Sequence, residues 1–211
     1  MATKKEVVSA FRTREIIAAA RQVITGREWE AITMEEIAQA AGVAKGTIYL
    51  YFQGKEDLLR ALLSQVGENL LADIQAVTAS GLSPWEKLAR AVSVHLEYLK
   101  RERALFPLYM QMPQWEQKDP QGWRHLRSLQ EKYMAELYRV FTEGMVEGQV
   151  IQADPRLLTF LLRGMVRAVG YYLMSEGREN TAPEARRVLL TILHSGVIPP
   201  QAPHHLEEAK I

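Results

Sequence analysis

Polar and aromatic side chains between residues 45 and 55 have the chemistry needed to contact a polyanion. Lysines can neutralise phosphates, threonine and tyrosine hydroxyls can bond phosphate oxygens or base edges, and a glycine lets another backbone approach closely. These residues are Lys45, Gly46, Thr47, Tyr49, Tyr51 and Lys55. Their types favour nucleic-acid binding over catalysis.

Two short helices joined by a tight turn would position these side chains. Thr33 and Glu36 have the spacing of a capping box, so we expect a helix to begin after Thr33. Gly42 ends that helix, because glycine can take the positive φ that the turn requires. The small Ala38 lets the two helices cross closely. The sequence therefore predicts a helix-turn-helix, whose second helix enters the major groove of DNA.

The second helix is expected over residues 44–51. Ile48 and Phe52 are four residues apart and should face the core, which leaves the polar side chains outside. Lys55 falls in the first turn of the next helix, where a positive charge opposes the helix dipole. A phosphate held there by the lysine and by free backbone N–H groups would explain its position.

Residues 12–70 resemble the DNA-binding domain of the TetR/AcrR family of bacterial transcriptional regulators. The resemblance rests on six ordered segments: Ile32-Thr33, Ile37-Ala38, Ala41-Gly42-Val43, Lys45-Gly46-Thr47-Ile48-Tyr49, Tyr51-Phe52 and Lys55-Glu56-Asp57-Leu58. One departure is Gly54, where the family more often has Ser or Asn as the helix N-cap. Glycine is a tolerable cap, so the departure affects local stability rather than function.

The resemblance implies a homodimer that binds a palindromic double-stranded DNA operator. Its last two long helices, here about 155–175 and 183–196, would form the dimer interface. The residues at 33, 45, 46, 47, 49, 51 and 55 would touch DNA. The two reading heads must lie about 34–36 Å apart to enter successive major grooves. By the family pattern, a ligand in the C-terminal domain changes that separation and usually releases the DNA.

The composition limits the remaining classes of function. The chain has 211 residues, a net charge of +1 and no cysteine, which excludes disulfide scaffolds, zinc-thiolate sites and thiol nucleophiles. Residues 1–60 hold nine Lys or Arg and eight Asp or Glu. Any DNA contact must therefore depend on the placement of a few charges. No signal peptide or long apolar segment is visible, so we expect a cytoplasmic protein without a membrane partner.

Helical periodicity runs through almost the whole chain and predicts an all-α fold of about nine helices. We expect a helix-turn-helix domain over 1–55 and a helical effector-binding and dimerisation domain over 56–198. A helix from 55 to about 78 would connect them. The proline-rich segment 199–211 is expected to be a disordered tail.

Aromatic and methionine residues in the C-terminal part have two interpretations. They either line an adaptable pocket for an apolar or amphipathic effector, or simply fill the helical core. The candidate ligand-binding residues are Phe106, Tyr109, Met110, Trp115, Tyr133, Met134, Phe141 and Met165. Arg101, Arg103, Arg163 and Arg167 could receive an anionic group of the effector, although a surface position is the simpler explanation for each of them.

These features favour a ligand-responsive repressor. Two alternatives stay open: an activator or co-repressor-dependent regulator of the same fold, and a helical small-molecule carrier or enzyme that does not use the DNA-binding motif. No catalytic triad, phosphate-binding glycine loop, cofactor motif or metal-ligand spacing is recognisable. We therefore expect no enzymatic activity, cofactor or metal.

Overall fold

The computed structural model describes residues 3–174 and 181–198, which contain helices and loops but no strand. The nine α-helices in these ranges are α1 (Lys4–Ile24), α2 (Met34–Ala40), α3 (Lys45–Ile48), α4 (Lys55–Thr78), α5 (Pro84–Arg101), α6 (Phe106–Lys118), α7 (Arg124–Val146), α8 (Pro155–Met174) and α9 (Ala182–Val197). Single 3₁₀ turns lie at Trp29–Ala31 and Arg103–Leu105. The predicted all-α class and helix number are confirmed. The expected tail over 199–211 lies outside the described residues.

Side-chain caps fix the beginnings of several helices. The Thr3 hydroxyl accepts a hydrogen bond from the Glu6 N–H, and the Glu6 carboxylate accepts one from the Thr3 N–H. This capping box begins α1 at Lys4. The first turns of the helix carry no inward stripe, because Val7, Val8 and Phe11 are exposed. Gly26 follows α1 with a φ of 77°.

Helix α6 is continuous although it contains two prolines. Pro107 lies in the first turn, where a missing N–H costs nothing, and Pro113 lies inside the helix. Pro113 removes one backbone hydrogen bond but leaves the helix continuous to Lys118. Buried Phe106, Leu108 and Met112 hold its inward face. Packing of this face outweighs the single lost hydrogen bond.

The described chain separates into two compact units by its internal contacts. The first contains residues up to 69 together with 102–130, and the second contains 70–101 together with the residues from 131 onward. In the first unit, Arg60 pairs with Asp119 at 2.9 Å, and the Trp123 indole N–H donates to Glu56 at 3.2 Å. These contacts tie the start of α4 to the segment before α7. The expected domain boundary at 55/56 stays a prediction.

Each unit has its own apolar core. Ile16, Ile37, Ile48, Leu58 and Trp123 are fully buried in the first unit. Phe52 is 4% exposed, so the predicted core positions of Ile48 and Phe52 are confirmed. The core of the second unit includes Ile74, Leu88, Leu137, Phe141 and Leu162.

Candidate nucleic-acid interface

The turn between α2 and α3 is held by the backbone. Gly42 has a φ of 65°, its N–H donates to the Gln39 carbonyl, and the Val43 N–H donates to the Ala38 carbonyl at 2.9 Å. These two bonds form a Schellman motif, in which a left-handed residue closes the helix end. No side chain is needed to make this turn. The neighbouring side chains are therefore available for other contacts.

Residues 45–51, which we name the reading turn, contain α3 and the hydrogen-bonded turn that follows it. The expected helix over 44–51 is regular only from Lys45 to Ile48, and the Tyr51 N–H continues it by donating to the Ile48 carbonyl at 3.1 Å. Inward burial of Ile48 leaves Lys45, Gly46 and Tyr49 exposed. Thr47 and Tyr51 are half-buried. The sequence-predicted polar groups thus lie on one short exposed segment.

Lys45 carries an accessible positive charge in the reading turn. Its Nζ lies 2.8 Å from Glu35 Oε2, and both side chains are exposed. The hydrogen bond and charge of Glu35 raise the pKa of Lys45, so its ammonium is fully charged at neutral pH. Solvent screens such a surface pair, which a competing phosphate can readily replace.

Thr33 is used by the local fold. Its hydroxyl accepts from the Glu36 N–H at 3.2 Å, and the Glu36 carboxylate accepts from the Thr33 N–H at 2.8 Å. The predicted capping box is confirmed. Hydrogen bonds from the Thr33 backbone, Arg27 and the Thr33 side chain lower the pKa of Glu36. Thr33 itself is exposed at the start of α2. Its contact with DNA stays a prediction.

Lys55 already has partners within the chain. Its Nζ donates to the carbonyl oxygens of Trp29, Glu30 and Ile32, at 2.6, 3.1 and 2.9 Å. The same nitrogen lies 4.9 Å from the centre of the Trp29 ring. Phosphate binding by Lys55 stays a prediction, but the ammonium lies on the turn at Trp29–Ala31.

Leu50 is a candidate that residue type alone did not identify. It lies between Tyr49 and Tyr51 and is 81% exposed, so its apolar side chain lies outside the core. An apolar group at the base edges of the major groove can contact the methyl group of thymine. The available sequence signal was its position between the inward residues Ile48 and Phe52.

The candidate effector residues of the first unit lie on α6. Phe106 is buried, whereas Tyr109, Met110 and Trp115 are partly exposed. The Tyr109 hydroxyl accepts from Gln130 at 3.2 Å. Trp115 stacks on Trp123 with a centroid separation of 5.5 Å. These contacts account for Tyr109 and Trp115 as packing residues, and a ligand role stays a prediction.

The candidate effector residues of the second unit lie on α7 and α8. Tyr133 and Phe141 are buried, and Met134 and Met165 are partly exposed. The Tyr133 hydroxyl lies 2.8 Å from Nδ1 of His95, on α5. Burial and the charge of Arg163 lower the pKa of His95 to about 4. His95 is therefore neutral at pH 7 and adds a polar position that was not among the predicted ligand residues.

Helices α8 and α9 expose large apolar side chains, and we name the surface that these form the outward face of α8 and α9. They are Leu157, Phe160, Leu161, Tyr171, Tyr172, Val188 and Ile192, and Phe160 is the most exposed at 62%. The opposite stripe of α8 is buried through Leu158, Leu162 and Val166. Within the described ranges, α8 is the one helix long and apolar enough to span a membrane. A helix apolar on both faces also suits burial between two protein layers.

Comparison with known proteins gives the same architecture. The family model described as "Bacterial regulatory proteins, tetR family" matches residues 16–62, and "Tetracyclin repressor-like, C-terminal domain" matches residues 81–195. The fatty acid metabolism regulator protein of Bacillus subtilis is 28% identical over 87% of this chain and 94% of its own length.

Two solved structures extend the match to the fold. The fatty acid degradation regulator FadR from Bacillus halodurans is 27% identical, with a TM-score of 0.70 over 85% of this chain and 94% of its own. A TetR/AcrR-family transcriptional regulator from Thermobifida fusca is 25% identical, with a TM-score of 0.72 over 85% and 96% of the two chains.

Proposed function

Because this chain belongs to the TetR family of bacterial regulatory proteins and is a ligand-responsive DNA-binding transcriptional regulator, we propose that it is a homodimeric repressor released from a palindromic operator by an acyl-chain effector. The exposed reading turn is the observation that carries the DNA-binding part. The regulator is not an enzyme. As a DNA-binding protein of a bacterial family, it would act in the cytoplasm.

The proposed DNA contacts divide by chemistry. Lys45 supplies charge for a phosphate, and Gly46 allows close backbone approach. The hydroxyls of Thr47, Tyr49 and Tyr51 bond phosphates or base edges, and Leu50 contacts a thymine methyl. Thr33 would contribute from the start of α2. The exposed positions of Lys45, Tyr49 and Leu50 support this assignment.

The proposed dimer forms through α8 and α9. Their outward face is apolar over both helices, and burying it against its copy would remove that surface from water. A C₂ interface is self-complementary, so one apolar face satisfies both subunits. This arrangement also explains why α8 is apolar on two sides without a membrane.

The proposed effector is an amphipath with an acyl chain. Two relatives are named as regulators of fatty acid metabolism or degradation. The chain's own methionines and aromatics support the same class, since flexible thioethers adapt to an alkyl chain. In the second unit they include Tyr133, Met134 and Met165.

The polar end of the effector is proposed to bind near His95. Arg163 is close enough to lower the pKa of His95, and a carboxylate or thioester oxygen could accept bonds from Arg163 and Tyr133. Neutral His95 holds the Tyr133 hydroxyl without adding a second positive charge. Arg163→Met should therefore weaken effector binding and leave DNA affinity unchanged.

Selection of operator DNA from a random duplex pool tests the regulatory proposal directly. The selected duplex is then titrated with palmitoyl-CoA, palmitate and octane, and fluorescence anisotropy reports DNA release. We expect a palindromic sequence and release by one of the two amphipaths but not by octane. Absence of any preferred duplex would contradict the proposed operator recognition. Tighter DNA binding with the effector would replace the repressor mechanism with a co-repressor-dependent one.

A further inference from the structure

The Lys55 ammonium differs from that of Lys45 because all of its N–H donors have acceptors inside the protein. An ammonium group has three N–H donors. In Lys55 they meet three carbonyl oxygens, at 2.6 Å from Trp29, 3.1 Å from Glu30 and 2.9 Å from Ile32. A phosphate oxygen would have to displace one of these carbonyls. The sequence analysis invokes a phosphate to explain a lysine at this position. Carbonyl groups of the protein itself supply that negative partner.

The position of Lys55 at the start of α4 also finds an electrostatic explanation. The positive end of α4 disfavours a cation in its first turn. The side chain reaches away to the carbonyl end of the 3₁₀ turn at Trp29–Ala31, where the carbonyl oxygens carry partial negative charge. The Trp29 ring, only 7% exposed, adds a π face at 4.9 Å.

The three carbonyls belong to the segment that leads into α2. Ile32 directly precedes Thr33, the N-cap of α2, and is 2% exposed. Lys55 itself follows the reading turn by four residues. One ammonium group therefore fixes the backbone that enters the helix-turn-helix to the backbone that leaves it.

We propose that Lys55 is a positioning residue, which sets the reading turn at the depth and angle required for base contact and does not bind a phosphate. The proposal rests on the proposed use of the reading turn for DNA. It predicts a loss of operator recognition when the ammonium is removed. The number of ionic contacts with DNA should stay the same.

Substitution of Lys55 and Lys45 by methionine and arginine separates the two roles. Lys45 begins α3 within the reading turn and Lys55 begins α4 four residues after it, so Lys45 is the matched control. Lys45→Met should lower the slope of log affinity against log salt by about two, because each subunit of the proposed dimer loses one phosphate contact. Lys55→Met should weaken specific operator binding by about tenfold, leave binding to random duplex and the salt slope unchanged, and lower the midpoint of urea unfolding.

Arginine gives the second test, because it keeps the positive charge but changes its geometry. A planar guanidinium suits a phosphate but cannot direct three donors from one nitrogen to three carbonyls. Lys45→Arg should keep the wild-type salt slope because its charge is retained, whereas Lys55→Arg should lose specific affinity as Lys55→Met does. All assays are made at a temperature where circular dichroism shows each variant fully folded.

Several outcomes would overturn the positioning role. They are a salt slope lowered by about two in Lys55→Met, equal losses on operator and random duplex, or wild-type specific binding by Lys55→Arg. If Lys55→Met does not fold, Lys55→Arg alone decides. Failure of the proposed DNA surface would look different, because Lys45→Met would then leave the salt slope unchanged.

Discussion

The reading turn and the outward face of α8 and α9 are both exposed, yet they offer opposite chemistry. The reading turn presents one lysine, hydroxyl groups, a glycine and a single leucine. The α8–α9 face presents leucine, phenylalanine, tyrosine, valine and isoleucine side chains. The first suits a hydrated polyanion, and the second suits removal from water.

The contrast explains how a chain of net charge +1 binds DNA. Charge is needed only where phosphates lie, and in the proposed dimer the rest of the binding energy comes from holding two reading turns together. Apolar area supplies that second requirement without any charge. The overall charge of the chain is therefore a poor guide to its ligand, whereas the local chemistry of each surface is informative.

The largest expected effect comes from breaking the apolar face. Phe160→Glu combined with Ile192→Glu places charges at positions 62% and 56% exposed in the single chain, where a second copy would bury them. The variant should be monomeric and should bind the operator about a thousandfold more weakly, because the second half-site is no longer held nearby. Analytical ultracentrifugation and anisotropy measure the two effects.

Tyr138→Glu is the control for that experiment. Tyr138 is also an exposed apolar residue, 38% exposed, but it lies on α7. It should remain dimeric and bind normally. A dimeric double variant on α8 and α9 would place the subunit interface elsewhere.

A smaller effect should distinguish Leu50 from its polar neighbours. Leu50→Ala should weaken operator binding about fivefold, the loss expected for about 1 kcal/mol of apolar contact. Replacing the contacted thymine by deoxyuridine, which lacks the methyl group, should weaken the wild type equally and the variant no further. Additive losses would mean that Leu50 contacts something other than that methyl group.

A gain of affinity is expected when Lys45 loses its internal partner. Glu35→Gln removes the carboxylate 2.8 Å from the Lys45 ammonium. Operator affinity should rise about twofold at low salt and show little change at high salt, as expected for a surface ion pair. Gln39→Glu, at another exposed position of α2, should lower affinity. An unchanged affinity in Glu35→Gln would show that the ion pair does not compete with DNA.

The smallest effect concerns acid stability of the first unit. The pKa of Glu36 is lowered by the Thr33 backbone hydrogen bond, with Arg27 contributing next. The Glu36 carboxylate stabilises the folded state fully when the pH is above its ordinary pKa of 4.5. This stabilisation is lost as the pH falls through the lower pKa of the folded state. Glu36→Gln should flatten the dependence of the free energy of unfolding on pH in that acid range. Urea unfolding at a series of pH values measures this. Glu131→Gln, at an exposed carboxylate, should retain the wild-type profile.

Local signals predicted much of the architecture. The capping box at Thr33 and Glu36, the turn at Gly42 and the inward Ile48 and Phe52 are confirmed because each depends on residues a few positions apart. The family resemblance and the all-α class are confirmed as well. The helix over Phe106–Lys118 shows where local rules fail, since packing overrides Pro113.

The partners of Lys55 could not be predicted in the same way. They lie 23, 25 and 26 residues earlier in the chain, and they are backbone atoms. No residue type marks them. The association of 102–130 with the N-terminal residues is equally non-local, because Arg60 and Asp119 are 59 positions apart. Local periodicity carries no information about which distant residues come into contact. The DNA contacts themselves stay predictions.

The backbone-held turn at Gly42 separates folding from recognition. Since the Schellman bonds of Gly42 and Val43 involve no side chain of the reading turn, substitutions at positions 47, 49, 50 and 51 should alter the preferred operator while preserving the turn. Descendants of this chain could acquire new target genes through a few exposed substitutions. The same independence offers a route to engineered regulators with chosen operators.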